Sequence, residues 1–500
     1  MTIYAPSNNV PSNLHCKYHS RNNCHGNQFR STRMMSIKKQ VICISAGMTQ
    51  PKKSDTPVTR SNMYLNYGLL GLASVLETHG WHPTVIHGHF SEPIQFIEKL
   101  LAKGQLPTLT PLLISVPSSF ALQWTSRFCA EIKSRWPEQL IILGGRWVTA
   151  NDATWLRSKI PNIDLVVFGT AESTINDLMY PSRWRITGGT EHNTSIPVSS
   201  RSPILNYQLL EDYLEFTPSF EVSRGCGRGC NFCAEASAPL SAMKPAHDLV
   251  AEISNAISVY GTSDIRAYFE ASFFQPSSQW ISEFTSELNK AGVRIKWRTE
   301  TRVDNITPSQ IHALAKTGLT VLDLGLETAS HNQIIAMGKS KKPDAYLRKA
   351  ADVLNACKEN GVWAKVNVLL YPGETEQTLN ETLAWLEMQR SNIKGVSVGP
   401  TIVFRYGTSS ATYLKSLAPL GALPVCQDAL DRDGYAHLHM SESMTHMRAI
   451  ELGQIISKSF MSERDYFDLK SFSYLPRSMT YSQFTEQSRY VSDTLLSYRR

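Results

Sequence analysis

Three cysteines fall within eight residues in the segment Ser223-Arg-Gly-Cys226-Gly-Arg-Gly-Cys230-Asn-Phe-Cys233, with Gly225, Gly227 and Gly229 interleaved. Glycine accepts positive φ and lets backbone come close to a bound group, so this stretch can curl until three sulfurs converge. Cysteine thiolate is the usual protein ligand of iron–sulfur clusters. A closed structural zinc site takes four ligands, commonly from Cys-x-x-Cys pairs; here there are three, and no fourth follows nearby. A 4Fe–4S cubane held by Cys226, Cys230 and Cys233 leaves one iron open, and a small molecule can chelate an open iron. Other readings stay open: a structural zinc, an electron-transfer cluster completed by the remote Cys357 or Cys426, or a chance grouping of core cysteines. The interleaved glycines argue against the last, since they do not suit an apolar core.

The elements that must position this loop form two series. From Gln40 to about Tyr180, short apolar strands alternate with amphipathic helices. Strands are expected at Val41–Ser45, Pro83–His87, Pro111–Val116, Leu140–Leu143 and Leu165–Phe168, and helices at Leu65–His79, Ile94–Leu101, Leu122–Ser134, Asp152–Ser158 and Glu172–Met179. That alternation predicts a parallel sheet covered on both faces, a doubly wound, Rossmann-like domain over 40–180. Such sheets bind ligands beyond the carboxyl ends of their strands, where Gly144, Gly145 and Gly169 stand. Residues 181–217, with Gly188, Gly189, Pro197 and Pro203, read as a linker.

A second βα series fills 218–414. Its strands are expected at Ser219–Ser223, Ile265–Phe269, Ile295–Thr299, Val321–Leu326, Trp363–Leu370 and Val396–Val403. The intervening helices carry ordinary signals: Thr307 and Pro308 start one, and Gly292 and Gly361 end others. Six units without a seventh or eighth predict a partial (β/α)6 barrel. The cysteine loop follows its first strand. Residues 415–500 read as a small helical extension, with a helix at Glu442–Ser457 and aromatic-rich turns beyond.

Length, at 500 residues, calls for two domains or more. The longest apolar runs, such as Pro111–Pro117, are strand-sized, well short of the roughly 18 residues that cross a bilayer. No membrane partner and a cytoplasmic setting are therefore expected. The net charge of +7 comes from the amino terminus: Lys17, Arg21, Arg30, Arg33, Lys38, Lys39, Lys52 and Lys53 all precede the first acidic residue, Asp55. The remaining 42 basic residues face 43 acidic ones. A neutral body disfavours nucleic acid as partner. Residues 1–39 are expected to be a disordered tail or the result of a start placed too far upstream, with Met34 or Met35 as an alternative start. The nine cysteines are mostly isolated, unlike a secreted disulfide framework.

The spacing C-x3-C-x2-C after a strand, in a partial βα barrel, resembles the radical SAM superfamily, and Phe232 fits the aromatic usual before the third cysteine. The likeness extends through Arg302-Val-Asp304, Gly325-Leu-Glu327-Thr328, Lys339, Tyr371-Pro-Gly-Glu-Thr375 and Tyr406-Gly-Thr408. These look like segments of the branch with an N-terminal cobalamin-binding domain. Leu65–Gly80, Ile142-Leu-Gly-Gly145 and Gly169-Thr-Ala-Glu172 look like that domain's first helix, fourth strand end and later turn. The resemblance implies a 4Fe–4S cluster whose open iron is chelated by S-adenosylmethionine (SAM), one-electron cleavage to a deoxyadenosyl radical, and cobalamin as methyl carrier. It also implies an external reductant of flavodoxin or ferredoxin type. The reaction expected is methylation of an unactivated carbon or phosphorus of a small-molecule substrate. A SAM-cleaving cyclase or rearrangement enzyme, a tRNA or peptide modifier, and a non-catalytic iron–sulfur module are the rivals.

On the same resemblance, Glu270 and Glu327 are candidates for SAM contacts at strand ends, and Arg302 and Lys365 for its carboxylate. Gly144, Gly145 and Gly169 are candidates for the cobalamin edge. One departure is clear. The Asp-x-His-x-x-Gly segment that supplies a cobalt-ligating histidine in many cobalamin domains is missing after Val41–Ser45, and His87 and His89 follow a different strand. His437, His439 and His446 invite a metal reading, but His-x-His in an irregular segment is more often surface.

Overall fold

The computed structural model describes residues 39–49, 57–149, 152–185, 191–194, 202–236, 238–406 and 409–500. The expectations for the amino-terminal tail before Lys39, for Gly188, Gly189 and Pro197, and for Gly407 and Thr408 lie outside the described residues.

The first series folds as a six-stranded sheet: β1 (Gln40–Ser45), β2 (His82–His87), β3 (Leu112–Ser115), β4 (Ile141–Gly144), β5 (Leu165–Gly169) and β6 (Glu191–Thr194), in the order β2-β1-β3-β4-β5-β6. Every pairing is parallel. The order reverses between β1 and β3, the topological switch point at which doubly wound sheets take ligands. Alternate residues of β1 serve opposite faces. Val41 and Cys43 enter the core that holds Leu69, Leu70 and Ala73, whereas Ile42 and Ile44 pack with Phe96, Trp124 and Phe128. The sixth strand falls in the segment expected as linker. Glu-His-Asn-Thr has no apolar alternation to reveal it; backbone pairing with Val166–Gly169 makes it an edge strand.

The second series forms another parallel sheet, with strands in sequence order: β7 (Ser219–Glu221), β8 (Arg266–Glu270), β9 (Lys296–Arg302), β10 (Leu319–Glu327), β11 (Trp363–Leu370) and β12 (Gly395–Pro400). Among the described residues β7 and β12 do not pair, so the barrel is open, as six units predict. Trp297 of β9 stacks on Phe269 of β8 with ring centroids 4.4 Å apart and meets Phe284 of the helix Ser278–Ala291, which fixes the outward face. By the two-residue period of a strand, Arg298, Glu300 and Arg302 face inward.

The last strand ends sooner than Val403. The chain leaves the barrel after Pro400, and β13 (Ile402–Phe404) joins β14 (Leu423–Pro424) and β15 (Tyr435–His439) in a small antiparallel sheet, order β13-β15-β14. This sheet carries the first domain: Phe120 packs on Tyr435, Arg405 lies over the Trp155 ring, and its guanidinium reaches Asp152 at 3.0 Å.

The helix of the extension spans His446–Phe460, capped by Thr445. The segment expected as turns holds two more, Glu463–Lys470 and Tyr481–Arg489. They are short, and capping boxes at Ser462/Asp465 and Thr480/Gln483 start them. This extension closes the amino-terminal end of the barrel. Arg298 donates to Leu469 O and Ser473 Oγ, Arg266 to Ser471 Oγ, and Trp363 packs edge-on to Phe472.

Candidate functional site

The cysteine loop is shaped by backbone that only glycine tolerates at one critical point. Gly225 has φ +75°, and a Cβ there would stand 2.1 Å from Pro239 O. Cys226 N donates to Ala238 O at 2.9 Å and Asn231 N to Met337 O at 3.0 Å, so both flanks of the loop are tied down. All three thiols are free; Cys230 is buried, at 7% exposure, and Cys226 and Cys233 are half-buried. Burial pushes the Cys233 thiol up, and Cys226 and Cys230 add to it. The three sulfurs thus share one electrostatic neighbourhood.

Among the described residues no three His, Cys, Asp or Glu side chains gather about one point as ligands of a single metal ion would. A cubane does not ask for that, since each thiolate takes its own iron. The donor set therefore fits a cluster and not a single zinc. The remote thiols are otherwise engaged. Cys357 is fully buried, and burial pushes its thiol up to about 12; Cys426 donates to Asp428 Oδ1 at 2.8 Å.

Arg302 lies against the loop. Its Nη1 donates to Cys230 Sγ at 3.0 Å, Nε and Nη2 bind the two Asp304 oxygens, and Nη2 also reaches Lys339 O. Four contacts on a five-donor guanidinium leave little for a ligand carboxylate. Glu327 has φ +67° at an irregularity between Gly325 and Glu327, and Lys339 Nζ stands 3.5 Å from its Oε1. Lys339 also lies 5.8 Å from the centre of the Phe232 ring, which meets Tyr371 edge-on. Lys365 donates to its register neighbour Asp323 and to Asn367, both at 2.9 Å.

Between the two sheets lies a cavity of about 560 Å³, within the usual range for small-molecule sites. Asn66, Tyr67, Ser115, Gly144, Gly145 and Gly169 line it from the first domain. Glu221, Ser223, Arg224, Gly225, Glu270 and Glu300 line it from the barrel. Gly145 has φ +112°, and a Cβ on it would strike Val116 N at 2.7 Å, so the wall there is bare backbone. Two ion pairs clasp the cysteine loop to the first domain. Arg224 bridges Glu172 and Glu221, both at 2.8 Å, and Arg146 pairs with Glu235.

Inside the barrel, carboxylates share one level. Glu221 is in register with Glu270, Glu300 with Asp323, and Asp323 with Lys365; the match of Tyr268 to Arg298 sets Glu270 level with Glu300, each two residues on. Their surroundings separate them. Burial opposes charge on Asp323, but Arg298 and Lys365 outweigh it and hold its carboxyl down at about 2. Burial pushes Glu270 up to about 8, with Ser219 pulling the other way and Glu300 adding to the rise. Burial and then Asp323 push Glu300 up to about 7. Glu300 presents its side chain to the cavity although its strand neighbours Thr299 and Thr301 are buried.

Sequence reasoning missed Glu300, Tyr67 and Arg146. The signal for Glu300 was present in Trp297-Arg-Thr-Glu-Thr-Arg302, where charge recurs at every second residue of a strand. His87 and His89 do not line the cavity. Their rings stack near Phe216, His87 Nε2 accepts from Asn66 N at 3.0 Å, and burial lowers the two to about 3 and about 4. His437 and His446 pack with ring centroids 4.5 Å apart, and His439 Nδ1 accepts from His446 N. No third metal ligand joins them among the described residues.

Comparison with known proteins agrees with this geometry. The family model of the radical SAM superfamily matches residues 220–386. An uncharacterized methyltransferase of Pyrococcus horikoshii, PH0819, is 23% identical over 343 residues, 63% of this chain and 72% of that protein. The radical SAM methyltransferase TsrM of Kitasatospora setae, solved with tryptophan and a SAM analogue, superposes with a TM-score of 0.57 at 14% identity, covering 78% of this chain and 79% of that one. The cobalamin-dependent enzyme OxsB, solved with aqua-cobalamin and SAM, gives 0.55 at 15% identity over 91% of this chain and 66% of that one. Residues 220–386, cysteine loop and barrel together, therefore form a radical SAM superfamily domain.

Proposed function

We propose that this enzyme is a cobalamin-dependent radical SAM methyltransferase that methylates an unactivated carbon or phosphorus of a small molecule. The observation that carries the reading is the single cavity joining the carboxyl edge of the first sheet, at Gly144, Gly145 and Gly169, to the barrel wall beside the cysteine loop. The shared fold with TsrM and OxsB and the likeness to a named methyltransferase support it. When bound, the cluster with SAM supplies a deoxyadenosyl radical and cobalamin a transferable methyl group.

The chain's own residues position and shield. Cys226, Cys230 and Cys233 would hold three irons, with Arg302 supporting Cys230. The bare backbone at Gly145 would let a flat macrocycle approach the sheet edge. Among the described residues no histidine lines the cavity, and the reading has that group held without a histidine ligand from this wall. The ion pairs of Arg224 and Arg146 keep loop and sheet edge in register, and orientation of this kind is worth several kcal/mol of barrier. An external one-electron reductant of flavodoxin or ferredoxin type completes the reading.

The test is anaerobic purification after growth with cobalamin, followed by cluster reconstitution and reduction. The reading expects deoxyadenosine from SAM and a corrin absorbance that copurifies. SAM cleavage without corrin would leave a radical enzyme of another kind, and no cleavage would remove the enzymatic reading. Cys230→Ala should lose both cluster absorbance and cleavage.

A further inference from the structure

The tip of the cysteine loop reaches solvent. Gly227, Arg228 and Gly229 are exposed, and a Cβ on Gly229 would meet nothing within 4 Å. The next residue is the buried Cys230, so a cluster thiolate lies directly behind the exposed tip. The segment after the helix His331–Ala336 is laced to this tip. Asn231 Nδ2 donates to Ala336 O at 2.8 Å, Asn231 N donates to Met337 O at 3.0 Å, and a Cβ on Gly338 would stand 3.3 Å from Gly229 O. Lys341 and Lys342 lie three and four residues beyond Gly338, at most about 14 Å of extended chain. The far flank of the loop is covered instead, since Arg146 on Glu235 and Arg224 on Glu172 hold it to the first domain.

The exposed face carries one sign of charge. Residues 222–234 include two arginines and no acid, and residues 328–343 include three lysines and no acid. Arg224 and Lys339 are spent inside the protein, on Glu172 and Glu221 and on Gly325 O. Arg228, Lys341 and Lys342 are exposed, and among the described residues no carboxylate stands within ion-pair distance of them. Arg228 is set in place by the Phe273 ring, 4.6 Å from its guanidinium, and by Asn305 Oδ1 at 3.0 Å; its remaining donors are left for a partner. Ile335, 56% exposed, immediately precedes the residue whose carbonyl binds Asn231. Cations beside a large exposed apolar side chain suit an acidic protein surface with an apolar centre.

We propose that Arg228, Lys341 and Lys342, with Ile335, form the docking face for an acidic flavodoxin, which delivers its electron at the tip of the cysteine loop. The inference rests on the radical SAM reading above and gives its reductant a place. The step is a single electron transfer: the reduced flavin loses one electron, the cluster gains it, and no bond or proton changes place. A flavin suits this face better than an iron–sulfur carrier. The edge of a flavin ring is apolar and can lie on Ile335, whereas a cluster under its own cysteine loop presents polar backbone.

The experiment uses the full chain with its cluster reconstituted. Isothermal titration calorimetry measures binding of oxidised flavodoxin, and of a ferredoxin of similar net charge, at low and at high salt. Carbodiimide then joins lysines to the carboxylates they touch, and peptide mapping locates the links. The wild type should bind flavodoxin more tightly than ferredoxin, and less tightly as salt rises, with links at Lys341 or Lys342. K341E/K342E should bind flavodoxin at least about tenfold more weakly. Its SAM cleavage driven by dithionite, which needs no docking, should stay at the wild-type level. If that variant fails to assemble its cluster, I335S is read in its place, since a substitution at an exposed position leaves the core intact, and it should weaken binding at both salt concentrations. Undiminished binding in the variants, links confined to other lysines, or ferredoxin bound as tightly as flavodoxin would each overturn the docking face. A wild type that binds flavodoxin at these lysines but cleaves no SAM with dithionite would count instead against the enzymatic reading.

Discussion

The guanidinium of Arg302 donates through Nη1 to Sγ of Cys230 at 3.0 Å, while Asp304 and Lys339 O hold its other donors in place. A hydrogen bond from a cation stabilises a thiolate, and stabilises it more as electron density on the sulfur grows. Arg302→Met should therefore make the cluster harder to reduce. A charge-assisted bond is worth about 1.5 kcal/mol or more, which is about 60 mV for one electron. A redox titration followed by electron paramagnetic resonance reads this directly. An unmoved potential would mean that the contact is only packing.

Two glycines of the same loop should behave differently. Gly225→Ala drives a methyl group into Pro239 O, 2.1 Å away, at φ +75°. Gly229 has φ +71°, but a Cβ there meets nothing within 4 Å. Gly225→Ala should abolish cluster assembly. Gly229→Ala should cost about 1 kcal/mol of local strain and keep most of the iron. Iron per chain after reconstitution decides between them.

Glu374 gives a pH dependence. It is 2% exposed, and burial pushes its carboxyl up to about 7 against the opposing bond from Thr378 Oγ1. The folded state then holds a proton that the unfolded state releases near the ordinary carboxyl value. Stability from this group is full below about pH 4.5 and declines as pH rises through about 7. Glu374→Gln keeps an acceptor for Thr378 and removes the titration. At about 1.4 kcal/mol per pKa unit, the wild type should lose up to about 3 kcal/mol more than E374Q between pH 5 and pH 8. Urea midpoints across that range measure the difference.

Arg298 joins the barrel to the carboxyl-terminal extension. It pairs with Asp323 and donates to Leu469 O at 2.8 Å and Ser473 Oγ at 2.7 Å. Arg298→Met leaves Asp323 with Lys365 alone and strands two buried acceptors. Breaking a buried pair costs about 3–5 kcal/mol. Limited proteolysis should release the extension after residue 460 in this variant, well before the barrel is cut. Equal resistance to the wild type would place the hold of the extension in its aromatic packing instead.

The sequence by itself determined the chemistry of the loop and the order of the elements. Cys226, Cys230 and Cys233 with their glycines are local in the chain, and so are the strand and helix periods that announce two parallel sheets and an open barrel. Local patterns could not place Glu191–Thr194, an edge strand held by backbone pairing, or the short aromatic helices of the extension. The site's charges lay further out of reach. Arg302, Glu300 and Lys365 look alike in sequence, as charged residues in strands; register alone puts one against a cysteine, one on the cavity wall and one on Asp323. Which side chains meet depends on how strands align and which face turns inward, and those are properties of the packed sheet. The cavity itself lies between residues more than 200 positions apart in the chain, from Asn66 to Glu270, and exists only once the first sheet docks on the barrel.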